Sequence, residues 1–228
     1  MRSEPCALPC PGSAVETADR MNLFLFHGIP VPPMEKRLLL LFLDELHRAP
    51  CAYRGLFAFA GGEWPMMRFF TGERAKAGGA VQLSHEIAAC LKKIQPAGSR
   101  PLIREIDIAL SALLSEGLSG DAALPASRVA LWRNLSAAPF AGRERILREG
   151  VACLRADRDG KGRWNGWPFY YTLLALTEMP VDIAQGEIAY ALPSCRRAIA
   201  RLRRPGTGRR HALLMRVLAQ YSDKDASA

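Results

Sequence analysis

A chain of 228 residues, 49% of them hydrophobic, can bury a sizeable core as one large domain or two small ones, which excludes an unstructured polymer. The formal charge of +9 suits an anionic partner, although an arginine-rich excess also follows from genome base content. Six scattered cysteines in a chain this large are not a disulfide framework, and they place it in a reducing, cytoplasmic setting.

The first twenty residues hold no apolar run of secretory length, and their proline and glycine oppose a helix, so residues 1–20 are expected as a flexible tail with the fold opening at Met21. Cys6 and Cys10 lack the second pair or nearby histidines of a structural zinc site, so no metal is expected. After Pro32 and Pro33 the segment 34–48 reads as a buried helix. Its apolar block, 38–43, is far short of the roughly 20 residues that span a bilayer, and no membrane association is expected. Apolar runs on either side of Gly61 and Gly62 predict a small β-hairpin within 55–70, with Pro65 confining the second run to an edge.

Beyond it the apolar residues recur every three or four positions. Leu83, Ile87, Leu91 and Ile94 mark one helix, with Glu86, Lys92 and Lys93 facing water; Ile103, Ile106, Leu110 and Leu113 mark a second, ending near Gly117. Further helices are predicted at about 125–136 and 142–156, and a charged, glycine-containing loop follows at 156–163. Pro168 opens another helix, closed by Pro180. Two more are expected at 183–192 and from Ser194 through the arginines, separated by Pro193, and a last one spans 209–221. The expected fold is all-α, an irregular array of antiparallel helix pairs forming a superhelix or toroid-like stack. It makes a single mainly helical domain over 21–222 with a disordered tail at 223–228.

The stretch RWNGWPFYY, 163–171, holds five aromatics in a chain that is 8% aromatic. Gly166 lets the backbone come close while Trp164 and Trp167 cover the start of the next helix, so the residues favour a packed helix entrance. The alternative is a small-ligand site, for a molecule with an apolar body and a polar or anionic end, formed by Arg163, Trp164, Asn165, Trp167, Tyr170 and Tyr171. With the loop before it, this segment (154–176) resembles one repeat of the α/α-toroid proteins, which include terpenoid cyclases and protein prenyltransferases. The likeness is carried by Asp159, Gly160, Trp164, Gly166, Thr172 and Leu176. It implies that the tryptophan loop staples neighbouring helices. It implies no catalysis, because Asp157-Arg158-Asp159-Gly160 lacks the last carboxylate of the cyclase Asp-x-Asp-Asp motif.

Seven arginines crowd 194–210, and on a helix Arg197, Arg201 and Arg204 share a face that would meet successive phosphates. The plainer expectation is a solvated basic face neutralised by Asp182 and Glu187. Mixed charged and aromatic residues at 62–74 read as a flap, or as a partner-binding patch if exposed. The four histidines are isolated, and neither nucleophile-elbow nor dinucleotide motifs occur, so no cofactor is expected and sequence leaves enzymatic activity open. Three functions remain: a helical scaffold or protein-interaction domain, with a protein partner; an anion- or nucleic-acid-binding module through 196–210; and a ligand binder or enzyme around 163–171.

Overall fold

Ser13 opens the first helix by accepting the N–H of Glu16 on its side-chain oxygen at 3.1 Å. Helix α1, Ala14–His27, closes at Gly28, whose left-handed backbone (φ 64°) lets the N–H of Ile29 reach the carbonyl of Phe24 at 2.9 Å. The computed structural model describes residues 8–10, 13–50, 52–58, 71–73, 78–201 and 208–221. Over these the fold is all-α. Eight helices follow the first: α2 (Pro33–Arg48), α3 (Gly79–Ile94), α4 (Arg100–Glu116), α5 (Pro125–Ala137), α6 (Arg143–Ala156), α7 (Phe169–Glu178), α8 (Val181–Arg201) and α9 (Arg209–Tyr221). Among the described residues there is no strand, only an isolated antiparallel bridge between Arg158 and Trp164. No described helix is long and apolar enough to cross a membrane.

Three local expectations change. Order begins well before Met21: Ala14, Thr17 and Ala18 are buried on α1, because every proline and glycine of the N-terminal segment precedes Ser13. The expected break at Pro193 does not occur, and α8 runs through it as one helix. Proline removes one intrahelical bond, and buried Ile188, Leu192, Cys195 and Ala198 hold the two halves in line by packing. The hairpin expected at 55–70 lies, beyond Ala58, outside the described residues; Tyr53–Gly55 is a single 3-10 turn.

The described residues fall into two compact units, the first holding α1–α5 and the second Thr71, Gly72 and Glu73 together with α6–α9. In the first, α3 is the central element, with fourteen of its sixteen residues buried. It packs against α5 and α1. The expectation that Glu86 and Lys92 face water therefore fails: they are 4% and 1% exposed, and His85 is 1% exposed. In the second unit α8 is the hub, in contact with α6, α7 and α9. Its core is built from side chains such as Leu154, Leu173, Leu174, Ile188, Leu213 and Val217.

Candidate functional site

In the second unit, the loop between α6 and α7 is organised by Asp159. One of its carboxylate oxygens accepts the N–H groups of Lys161 (2.7 Å) and Arg163 (2.9 Å) and the hydroxyl of Tyr190 on α8 (3.0 Å). These bonds hold the carboxyl below its ordinary range, the N–H of Arg163 contributing most. Gly162, at φ 87°, lies so close to α8 that a Cβ there would meet Ser194 Oγ at 2.8 Å and the carbonyl of Tyr190 at 3.0 Å. Glycine at 162 is thus required twice, by its backbone angle and by its contact.

Trp164 turns inward from this loop. Its Nε1–H donates to Glu187 at 3.0 Å, and its ring lies 6.0 Å from that of Phe169 and 6.2 Å from that of Tyr190. Glu187, fully buried on α8, also accepts from Arg155 Nε (3.1 Å) and from Arg158 Nε and Nη2 (3.1 and 2.8 Å). Burial pushes this carboxyl up, but the bonds from Arg158, Trp164 and Arg155 outweigh it and hold it below the usual range. Trp167 Nε1–H donates to Asp157 at 2.9 Å. A carboxylate and a tryptophan thus join α6, the loop and α8.

The N-terminus of α7 is capped from a distance. Glu73 accepts the N–H of Tyr171 at 2.7 Å and of Tyr170 at 3.3 Å, filling the place a capping side chain would take where Pro168 offers none. Burial raises its carboxyl, and the helix N–H groups, the Thr71 hydroxyl and Arg210 only partly offset that. Two guanidiniums stack on the rings that follow. Arg163 lies 4.6 Å from the centre of Phe169, and Arg210 lies 4.7 Å from that of Tyr170, with Arg210 Nε donating to the carbonyl of Thr71.

Of the six residues proposed for a ligand site, Trp164, Trp167 and Tyr171 are 4%, 8% and 0% exposed, their rings packed into the unit. Tyr170 is half-buried, while Arg163 and Asn165 face solvent. The structure gathers these residues as a helix-entrance staple with a polar rim.

The arginine cluster is arranged differently. Arg196, Arg197 and Arg201 are exposed on the second half of α8; Arg204 lies outside the described residues. Arg197 donates to the carbonyl of Lys161 and to Ser194 Oγ, so part of its donor set secures the loop. The carboxylates expected to neutralise this face are engaged elsewhere. Asp182 pairs with Arg148, and Glu187 with Arg155 and Arg158. Cys195, just before Arg196, is buried, and burial pushes its thiol up to about 11.

Sequence reasoning missed a polar seam within the first unit. Asn22 on α1 donates to Glu86 at 2.9 Å, and Arg133 on α5 pairs with Glu86 and donates to Asn22 at 2.8 Å. Further along α3, Lys92 donates to Asn134 at 2.8 Å and pairs with Asp107 at 2.6 Å, while the Asn134 amide reaches His85 Nδ1 at 3.2 Å. Burial lowers Lys92 despite Asp107, and burial together with the Lys92 charge lowers His85 to about 3. His85 is therefore neutral, with Nδ1 accepting. The only sequence signal was a helix bearing polar residues at consecutive positions, Gln82 and then Ser84-His85-Glu86, which cannot all lie on one solvent-facing stripe.

No protein-family model, curated protein or solved structure matches the chain.

Proposed function

We propose that the chain is a non-catalytic helical binding module whose second unit docks on a phosphate backbone, a nucleic-acid duplex, through the exposed arginines of α8. One observation carries this reading: among the described residues, no carboxylate pairs with Arg196, Arg197 or Arg201. Between Ile188 and Ser222 the sequence holds eight arginines and not one Asp or Glu. The acids nearest in sequence, Asp182 and Glu187, are bound to Arg148, Arg155 and Arg158. Arg197 and Arg201 lie one helical turn apart, so their guanidiniums present a row of planar donors to successive anionic groups. The aromatics of 163–171 support the same reading by being spent on packing, and the toroid-like likeness of that loop also implies architecture before activity. Backbone contact without base stacking is what a phosphate reader requires. The setting we propose is cytoplasmic.

The test is duplex binding as a function of salt. Affinity should fall linearly with log salt, and an Arg196→Gln/Arg201→Gln variant should lower the slope by roughly 0.9 per lost phosphate contact. The bonds that secure the loop come from Arg197, so the variant should keep the parent's helical circular dichroism. An unchanged slope and affinity in the variant would remove α8 as the binding face; tight binding to an acidic polypeptide but not to a duplex would reassign the partner to protein.

A further inference from the structure

Resting on the reading of α8 as a phosphate-binding face, we infer that the tip of the loop between α6 and α7 is the second half of that face, with Lys161 and Arg163 as further phosphate-contacting residues. The tip is fixed to α8 at three successive residues. The Lys161 carbonyl accepts the Ser194 hydroxyl at 2.7 Å and the Arg197 guanidinium. Gly162 lies against Ser194 and the carbonyl of Tyr190, and the Arg163 carbonyl accepts the Tyr190 hydroxyl at 3.3 Å. Tyr190, Ser194 and Arg197 stand four and then three residues apart, so they share one stripe of the helix, and Arg201 continues it one turn further on.

Backbone and side chains of the tip have different roles. The backbone holds it in place, with the N–H groups of Lys161 and Arg163 bound to Asp159 and the carbonyls bound to α8. The two side chains are exposed, and neither makes an ion pair among the described residues. Arg163 lies over the Phe169 ring, a contact that steadies the cation without consuming its N–H donors. Its charge and that of Arg196 both act on the buried Cys195 thiol, which places the two guanidiniums about the same stretch of α8. Cations held by a fixed loop lose less freedom on binding than cations on a free one. The extent of the face selects the occupant. Ser194, where the tip is fixed, and Arg201 are seven residues apart on α8, about 10 Å along the axis and further than one phosphate group reaches. A chain of phosphates fits this surface better than a single anion.

The experiment is duplex affinity against salt with the full chain. Lys161→Gln/Arg163→Gln should weaken binding and lower the slope by roughly 0.9 per lost contact. Arg37→Gln, which removes one exposed charge from α2 in the first unit, should leave the slope unchanged. Gly162→Ala and Ser194→Ala alter no charge but disturb the seat of the tip on α8, so each should weaken binding at temperatures where circular dichroism shows the helices intact; the serine variant serves where the glycine variant does not fold. If Arg196→Gln/Arg201→Gln lowers the slope while Lys161→Gln/Arg163→Gln does not, the loop is not part of the face and the reading of α8 stands alone. A fall per charge matched by Arg37→Gln, or parent-like affinity in the folded neutral variants, would equally overturn the assignment. A parent that binds no duplex overturns both readings together.

Discussion

At the residue scale, Trp164 and Asn165 are chain neighbours with opposite fates. Trp164→Ala removes a nearly buried ring and the partner of Glu187, and should cost about 3–5 kcal/mol in denaturant unfolding, whereas exposed Asn165→Ala should stay within about 0.5 kcal/mol. Equal effects at both positions would mean that the ring is not core. His85 gives a pH signature. Its folded pKa of about 3 lies below the ordinary 6.5, so its contribution is fully present above about pH 6.5 and is lost as pH falls towards 3, at up to about 1.4 kcal/mol per unit. His85→Gln should flatten that part of the stability curve; an unchanged acid limb in the variant would show that His85 is not the group responsible. The burial of Trp164 was legible from the density of aromatics around Gly166. That of His85 was not, because the periodicity of α3 reports its apolar residues, and whether a polar residue is buried depends on distant partners such as Asn134.

At the element scale, helix boundaries were legible where punctuation is local. Pro101, Pro125 and Pro168 start helices within a residue of their expected places, and Gly117 follows the end of α4. Helix α1 was equally signalled by Ser13 with Glu16 three positions on and by Gly28, but the prolines before Ser13 dominated the reading. The cap of α7 could not be read at all, since Glu73 is nearly a hundred residues from the N–H groups it accepts and only the folded chain brings it there. Glu73→Ala should cost about 1 kcal/mol, the size of a lost N-cap. Gly162→Ala should cost more, because a Cβ meets the carbonyl of Tyr190 at 3.0 Å while φ stays at 87°. If Gly162→Ala proves neutral, the loop does not sit on α8 as described.

At the scale of the whole molecule, charge is unevenly distributed along the chain. Residues 141–228 hold sixteen Lys and Arg against nine Asp and Glu, a net +7 of the total +9. Asp157, Asp159, Asp182 and Glu187 are bound in or beside the staple, so the exposed arginines of α8 repel one another across solvent. A binding face of this kind lowers stability until its ligand arrives. Two measurements should therefore move together. Raising salt from low ionic strength, where the screening length is about 30 Å, to 1 M, where it is about 3 Å, should raise the melting temperature of the parent. A short duplex at low salt should raise it too, by mass action on the folded state. Arg196→Gln/Arg201→Gln should start from a higher melting temperature at low salt and lose most of both responses, because it removes the repulsion and the binding charge in one step. If the variant instead melts lower and responds to salt as the parent does, these arginines are stabilising surface residues, and the unneutralised face would have to be explained without a ligand.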